Sequence, residues 1–432
     1  MGLPPNHPRR IELNDEVHAR PPEALKAPVR ISFLALIQDP GEGGKERAHL
    51  AQLALRLGAE PPGQDANHFS ADLGAFRLKW ERHTEFSRYM FIVDGPSADP
   101  FGDTAMQVVP PDFVSGLPGK VMVATHAAFL PQDGADISAE RLSEMYFAGH
   151  ALVGSEIGGG AGTALTDFRI HPGGFGRVLI LDRALTALQA GRLLQRLFEI
   201  DSYKTMALLA FPTARGLGPL LGRAEHELSD ITATLASSEP ADENALLDRL
   251  TRLEAEIERQ AAENQFRFAA SAAYHDLVQR RILELRERRI EGLQTFGEFI
   301  ERRLGPAMNT CRAVAGRLEA LSNRVSRATQ LLSTRVDVSQ ARQNQEILRS
   351  MNRRVQMQLR LQQTVEGLSV AAVTYYIVGL VGYLAKGFRP LGIHLEPDLV
   401  TGVSIPVVLL LTWLGVGRIR RSATSSRSEA DH

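Results

Sequence analysis

Two periodicities divide the chain. As far as about Asp182, apolar residues alternate with polar ones or run in short blocks, as they do where side chains point to opposite faces of a sheet. These runs are VRISFLALI from Val29, FRLKW from Phe76, RYMFIV from Arg88, KVMVATHAAF from Lys120, YFAGHALVG from Tyr146 and RVLILD from Arg177. One clear helix, KERAHLAQLALRLGAE from Lys45, interrupts them. FRLKWERHTEFSRYMFIV predicts two strands joined by a short polar turn, so the expected domain is α+β, a mixed or antiparallel sheet with helices packed on it.

From about Ala184 the period lengthens. Leucines recur at helical spacing, as in Leu246, Leu250, Leu253 and Ile257, or Leu285, Leu293, Phe296 and Ile300, and glycine becomes rare after Gly222. The linker SSEPADE, Ser237 to Glu243, is expected to separate two helices and to cap the second. A narrow apolar stripe on long helices rich in Arg and Glu is the pattern of coiled-coil-like packing, within the chain or between copies. The last of these helices, from about Gln340, carries Ile347, Met351 and Val355 and meets no breaker before the segment that follows. There the charges stop. None occurs from Gly367 to Ala385 or from Leu399 to Gly417, two stretches of 19 residues each. A helix needs roughly 20 apolar residues to cross a hydrocarbon core of about 30 Å, so both are expected to span a membrane.

Composition sharpens this picture. The 432 residues are 44% hydrophobic and 23% charged, an ordinary globular average that hides the segregation of charge away from the C-terminal stretches. Arg349, Arg353, Arg354 and Arg360 precede the first stretch and Arg418, Arg420, Arg421 and Arg427 follow the second, whereas the connecting loop holds only Lys386 and Arg389. The positive-inside rule then predicts a multi-pass membrane protein with both termini in the cytoplasm. MGLPPNHPRR lacks the apolar core of a secretory signal, and one cysteine, Cys311, fits a reducing compartment. A formal net charge of −1, with arginines interleaved among glutamates, argues against a nucleic-acid partner.

No catalytic motif emerges, so the expectation is a protein that is not an enzyme. Eight of the 12 histidines lie at or before His171, but none forms an H-x-x-x-H, H-E-x-x-H or Cys/His grouping, so any metal site must be assembled from distant positions. Asp15, Glu16 and His18 form a polar cluster, most simply a turn ahead of Pro21 and Pro22 with Arg20 paired to a carboxylate. GSEIGGGAGTALTDF, Gly154 to Phe168, lacks the Lys-Ser/Thr end of a phosphate loop and is followed by FRI, which reads as a strand. Turns and bulges between strands are the expected reading.

Two resemblances add to this. The order of a cytoplasmic α/β domain, long helices, two C-terminal spans and a basic tail is similar to that of the CorA superfamily of magnesium channels. The local sequences Gly379-Leu-Val-Gly382-Tyr383-Leu384, Leu395-Glu396-Pro397-Asp398 and Ser404-Ile405-Pro406 resemble that family's G-x-x-G-M-N, M-P-E and G-Y-P elements. The resemblance implies a pentameric homo-oligomer with the first span lining a pore, and a divalent cation as the possible ligand. It also exposes a departure. Leu384 stands where the family's asparagine offers oxygen to a hydrated cation, and Lys386 and Arg389 add positive charge that Glu396 and Asp398 could offset. On a helix beginning near Val365, Ala372, Tyr375 or Tyr376, Gly379 and Gly382 or Tyr383 share a face that would line the pore, with Leu384 at its mouth. The second resemblance spans the whole chain. LNDEVHARPPE, with Asn14, Glu16, His18, Arg20 and Pro21, resembles the N-E-V-H-A-R-P motif of a bacterial family of uncharacterised membrane-anchored proteins, and TDFRIH from Thr166 and QAGRLLQRLFEIDSYKTMALLA from Gln189 resemble its middle region.

The expected layout is therefore an α+β cytoplasmic domain over 1–183, a long helical stalk over 184–365, a transmembrane hairpin over 366–417 with spans at about 367–385 and 399–417, and a basic tail over 418–432. The expected function is an oligomeric ion channel or transporter in the lipid bilayer; the alternative is a non-conducting, membrane-tethered scaffold or regulator.

Overall fold

The computed structural model describes residues 5–11, 13–14, 21–38, 41, 43–132, 138–237, 242–388 and 396–428, and the chain forms two compact units, 1–329 and 330–432. The first unit is built on a mixed nine-stranded sheet of order β2-β3-β4-β1-β5-β8-β7-β6-β9. Its strands are β1 (Val29–Ile37), β2 (His68–Asp72), β3 (Arg77–Arg82), β4 (Phe86–Asp94), β5 (Lys120–Pro131), β6 (Val153–Ile157), β7 (Gly162–Thr166), β8 (Gly176–Asp182) and β9 (Arg288–Arg289). Every neighbouring pair is antiparallel except β5 and β8, which run parallel and join the two halves.

The sheet is covered on both faces, which explains why β1 reads as a nearly unbroken apolar run. Leu34 and Leu36 of β1 join Leu78, Trp80, Tyr89 and Phe91 in a core closed by α1 (Gly43–Arg56) and α2 (Pro111–Ser115) through Leu50, Leu53 and Phe113. Phe33 points the other way and stacks at 4.4 Å on Phe198 of α4 (Ala187–Leu208). Burying one such ring contributes about 1.5–3 kcal/mol. A third helix, α3 (Ala139–Tyr146), supplies Leu142 to a second core with Phe101, Phe147, Leu165 and Leu179. Helix α4 starts with a capping box between Thr186 and Gln189 and is buried on nearly every side. At Gly191 it is crossed so closely by the incoming chain that a Cβ would lie 1.7 Å from the Glu23 carbonyl oxygen.

Behind α4 run α5 (Ala210–Ala236) and α6 (Glu243–Leu285). As the leucine spacing predicts, Leu246, Leu250, Leu253 and Ile257 are buried, and Asp242 caps α6 by accepting from the Asn244 and Ala245 amides at 3.1 Å. Arg286, at φ 49°, ends the helix in the left-handed conformation. The chain then adds β9 to the edge of β6 and begins α7 (Phe296–Phe388), a single helix of 93 residues. In the first unit α7 buries a stripe from Phe296 and Ile300 through Met308 and Leu318 to Val325. The second unit holds the rest of α7 and α8 (Pro397–Ser428). Among the described residues two helices are long and apolar enough to cross a membrane, and the apolar window within Asp398–Val416 has no buried residue.

Three local expectations change. YFAGHALVG becomes strand only from Val153, because α3 occupies the chain up to Tyr146 and Ala148 and Gly149 turn through positive φ. Phe168, Arg169 and Ile170 form a loop, since β7 lies inside the glycine-rich stretch and pairs with β6 around the Gly158–Gly160 turn. The helix expected from Gln340 starts at Phe296. Its Ile347, Met351 and Val355 are exposed by more than half.

Candidate functional sites

Strand register opens a cavity beside β5. β1 pairs with β5 back to Lys120, but β8 begins only at Gly176, opposite Thr125. One side of β5 from Val121 to Ala124 is therefore left open, and it floors a cavity of about 360 Å³ walled by α4, by the loop after β7 and by Phe296. Arg169, Arg177 and Lys204 line it with Asp201, Thr125, Thr166 and Thr205. Lys204 donates to Asp201 at 2.6 Å, and Thr125 donates to the same carboxylate at 3.0 Å. Arg177 donates to the Tyr146 carbonyl at 2.5 Å and lies over the Phe101 ring. Among the described residues neither Arg169 nor Arg177 is paired with a carboxylate, so the lining has an excess of positive charge.

The loop that walls this cavity also carries a cluster that sequence reasoning missed. Thr166 ends β7, accepts from the Phe168 amide at 3.2 Å and donates to the Arg177 carbonyl at 2.7 Å. Phe168, at φ 51°, stacks on Phe299 at 4.5 Å, and Lys204 Nζ lies over its ring 4.7 Å from the centroid. The Asp167 Oδ1 atom is fixed by the Arg169 amide at 3.1 Å, which leaves Oδ2 for two histidines. His150 Nδ1 lies 2.8 Å from Oδ2 and His171 Nε2 lies 3.0 Å from it, and the three ligand-type atoms are all within 4.8 Å of one another.

Burial differs sharply within the trio. The Asp167 side chain is fully buried, that of His171 is 5% exposed and that of His150 is 33% exposed. His171 Nε2 lies close to Oδ2 but outside hydrogen-bonding geometry, and it has no hydrogen-bond partner. Leaving such an atom unsatisfied costs about 1–3 kcal/mol. Burial, reinforced by Arg177 and His150, keeps the His171 imidazole below its usual range against the opposing pull of Asp167. Backbone bonds place the rings: the His171 amide donates to the Phe175 carbonyl at 2.9 Å, and Ser143 donates to the His150 carbonyl at 2.6 Å. The sequence signal was D-x-x-x-H inside TDFRIH with a histidine upstream, but His150 is brought in by a turn that no spacing rule encodes.

The residues singled out for a pore lie in the second unit. Thr374, Val378 and Ala385 are buried, and Thr374 meets Thr412 of α8 hydroxyl to hydroxyl at 3.0 Å. Gly382 belongs beside this stripe, since a Cβ there would lie 3.1 Å from the Thr401 hydroxyl. Ala372, Tyr375, Tyr376, Tyr383 and Leu384 are exposed, and a Cβ at Gly379 would meet nothing within 4 Å. Lys386, Glu396 and Asp398 are exposed, and Arg389 lies outside the described residues. Of the N-terminal motif, Asn14 is helical and exposed, and Pro21 accepts a 2.5 Å hydrogen bond on its carbonyl from the buried Lys79. Glu16, His18 and Arg20, together with Asp15, lie outside the described residues.

A family profile described as "Protein of unknown function (DUF3422)" matches residues 5–423. No curated protein and no solved structure matches the chain.

Proposed function

The chain belongs to the DUF3422 family, and with no activity attached to that membership we propose, from the structure and sequence, a membrane-tethered regulator or scaffold that carries a ligand-binding α+β domain. One observation carries the reading. The large side chains of α7 after Val365 and of α8 are mostly exposed, including Leu368, Leu380, Leu410 and Trp413, although the first unit closes its own core. A contiguous apolar surface of that size calls for lipid or other protein. The arginine flanks orient the hairpin with both termini in the cytoplasm, which for a bacterial protein means the inner membrane. The cavity with its unpaired Arg169 and Arg177 suits a small anionic ligand. Extraction with alkaline carbonate tests the tether: the full chain stays with the membrane pellet, and its release into the supernatant overturns the reading.

A second reading, an oligomeric ion channel or transporter of CorA-like architecture, is favoured by the open face at Gly379, Tyr375 and Tyr383, which a ring of copies could turn inward. It requires a homo-oligomer, a pentamer by the resemblance, and a divalent cation as the cargo. Liposome flux of Mg²⁺ decides between the two. Conduction predicts flux that Gly379→Leu blocks and Leu384→Asn raises, whereas a tether predicts background flux in all three proteins after verified insertion.

A further inference from the structure

We propose that His150, Asp167 and His171 form a binding site for a divalent first-row transition metal, with Zn²⁺ the reference ion and one coordination position open to solvent.

The donor set is the first argument. Two imidazole nitrogens and one carboxylate oxygen suit zinc, iron(II), cobalt(II) or nickel(II) and are a poor match for Mg²⁺ or Ca²⁺, which favour oxygen alone. The spacing is the second. Zinc bonds of about 2.0–2.1 Å to nitrogen and oxygen put tetrahedral ligands about 3.3 Å apart. His150 Nδ1 and His171 Nε2 lie 2.8 and 3.0 Å from Asp167 Oδ2 and within 4.8 Å of each other, so an ion enters once the two short edges open by a few tenths of an ångström and the two imidazoles set the third. The third argument is independent of both. His171 Nε2 is buried, 3.0 Å from Asp167 Oδ2 but outside hydrogen-bonding geometry, and so without a hydrogen-bond partner, although a buried nitrogen is rarely left so. A metal bond satisfies it.

Access and coordination number follow from the burial gradient. His171 and Asp167 close the inner side, whereas His150 is one-third exposed and leaves an approach from solvent. Three protein ligands leave a fourth position for water or a substrate atom, the arrangement of catalytic zinc sites and not of closed structural ones. The proton count balances. With the carboxylate accepting, the 2.8 Å contact assigns the His150 ring proton to Nδ1. On coordination that nitrogen supplies its lone pair and the proton moves to Nε2 through solvent, so the ring stays neutral.

The test uses the full, tag-free chain in detergent micelles, stripped with a chelator and titrated with Zn²⁺ by calorimetry and with Co²⁺ by visible absorption. One equivalent per chain binds with micromolar or tighter affinity, and Co²⁺ gives the intense visible bands of four- or five-coordination. Asp167→Asn and His171→Asn each weaken binding at least 100-fold. His150→Ala, at the exposed corner where the fold is least at risk, does the same while the thermal midpoint in chelator stays within a few degrees of wild type. His126→Asn, a buried histidine outside the trio, retains the site. Absence of a stoichiometric site in the wild type overturns the proposal, as does affinity that none of the three ligand variants changes.

Discussion

A chain of buried charges joins the sheet to the helices behind it, and its response to mutation can be worked out link by link. Lys79 and Glu81 of β3, Arg88 of β4 and Glu199 of α4 are each no more than 7% exposed at the side chain, and Arg281 of α6 closes the series at 26%. Lys79 lies 3.1 Å from Glu81, Arg88 pairs with Glu81 and lies 3.3 Å from Glu199, and Arg281 pairs with the other oxygen of Glu199. Burial alone would raise the Glu81 carboxyl, but Arg88 and Lys79 outweigh it and hold it below the usual carboxylate range. Replacing Arg88 by Met leaves one cation for each carboxylate, so the cost falls near the low end of the 3–5 kcal/mol typical of a broken buried pair, about 3 kcal/mol. Replacing Glu199 by Gln is worse. It leaves Arg88 and Arg281 facing a neutral amide; Arg281 keeps Glu284 at 3.0 Å, but the buried Lys79 and Arg88 then share Glu81 alone, so a cost in the upper half of that range, about 4–5 kcal/mol, is expected. The double variant should cost less than the sum by about 1–3 kcal/mol, because the contact is lost only once. Urea titration of the full chain in micelles, followed by tryptophan fluorescence, reads all three values. A larger loss for Arg88→Met than for Glu199→Gln, or additivity within about 0.5 kcal/mol, would refute this account.

Three further outcomes follow from single sites. Glu46 is wholly buried and accepts from Trp80 at 3.1 Å, Ser87 at 2.8 Å and Tyr89 at 2.6 Å; Glu46→Leu strands three buried donors and should cost at least about 3 kcal/mol, read as a lowered urea midpoint. Gly191→Ala should cost about 1–3 kcal/mol or more, since the Glu23 carbonyl must move away, whereas Gly216→Ala, in open space on α5, should change the midpoint little and serves as the control. Burial, with Arg177 adding to it, pushes His126 down to about 4, and Ser32, which already accepts from the Met106 amide at 3.0 Å, lies 2.9 Å from His126 Nδ1. Below its ordinary pKa of about 6.5 the unfolded chain binds the proton and the folded chain does not, so this stability is whole above pH 6.5 and lost progressively as pH falls towards 4. Replacing His126 by Asn should flatten a plot of thermal midpoint against pH in that window, and an unchanged slope would count against it.

The sheet was legible wherever alternation was strong and strands were central. β1, β3, β4, β5 and β8 fall close to the expected runs because burial on one or both faces forces their pattern. β2 escaped notice because HFSAD is an edge strand with alternate residues in solvent, and β9 because two arginines at the end of a helix carry no periodicity at all. The glycine-rich stretch concealed β7, whose buried GTALT follows immediately on its turn. Interior charge was the other blind spot. Lys79, Glu81 and Arg88 looked like the polar positions of half-exposed strands, but Glu199 and Arg281, over a hundred residues away in sequence, meet them inside the protein. The histidine cluster is the same lesson at smaller range: Asp167 and His171 stood in a quoted motif, and only the turn through Ala148 and Gly149 brings His150 to them.

The pairing of β9 with β6 sets a timetable for synthesis. β6 leaves the ribosome about 130 residues before Arg288 and Arg289, so at about 5–20 residues per second its outer edge waits on the order of ten seconds for a partner. During that interval the nascent protein carries an unpaired strand edge, the kind of surface on which neighbouring chains can pair and misassemble. The wait ends before the apolar stretch from Gly367 is translated. The sheet is thus complete before that stretch is made, and under the proposed membrane tether any insertion would begin with a finished edge.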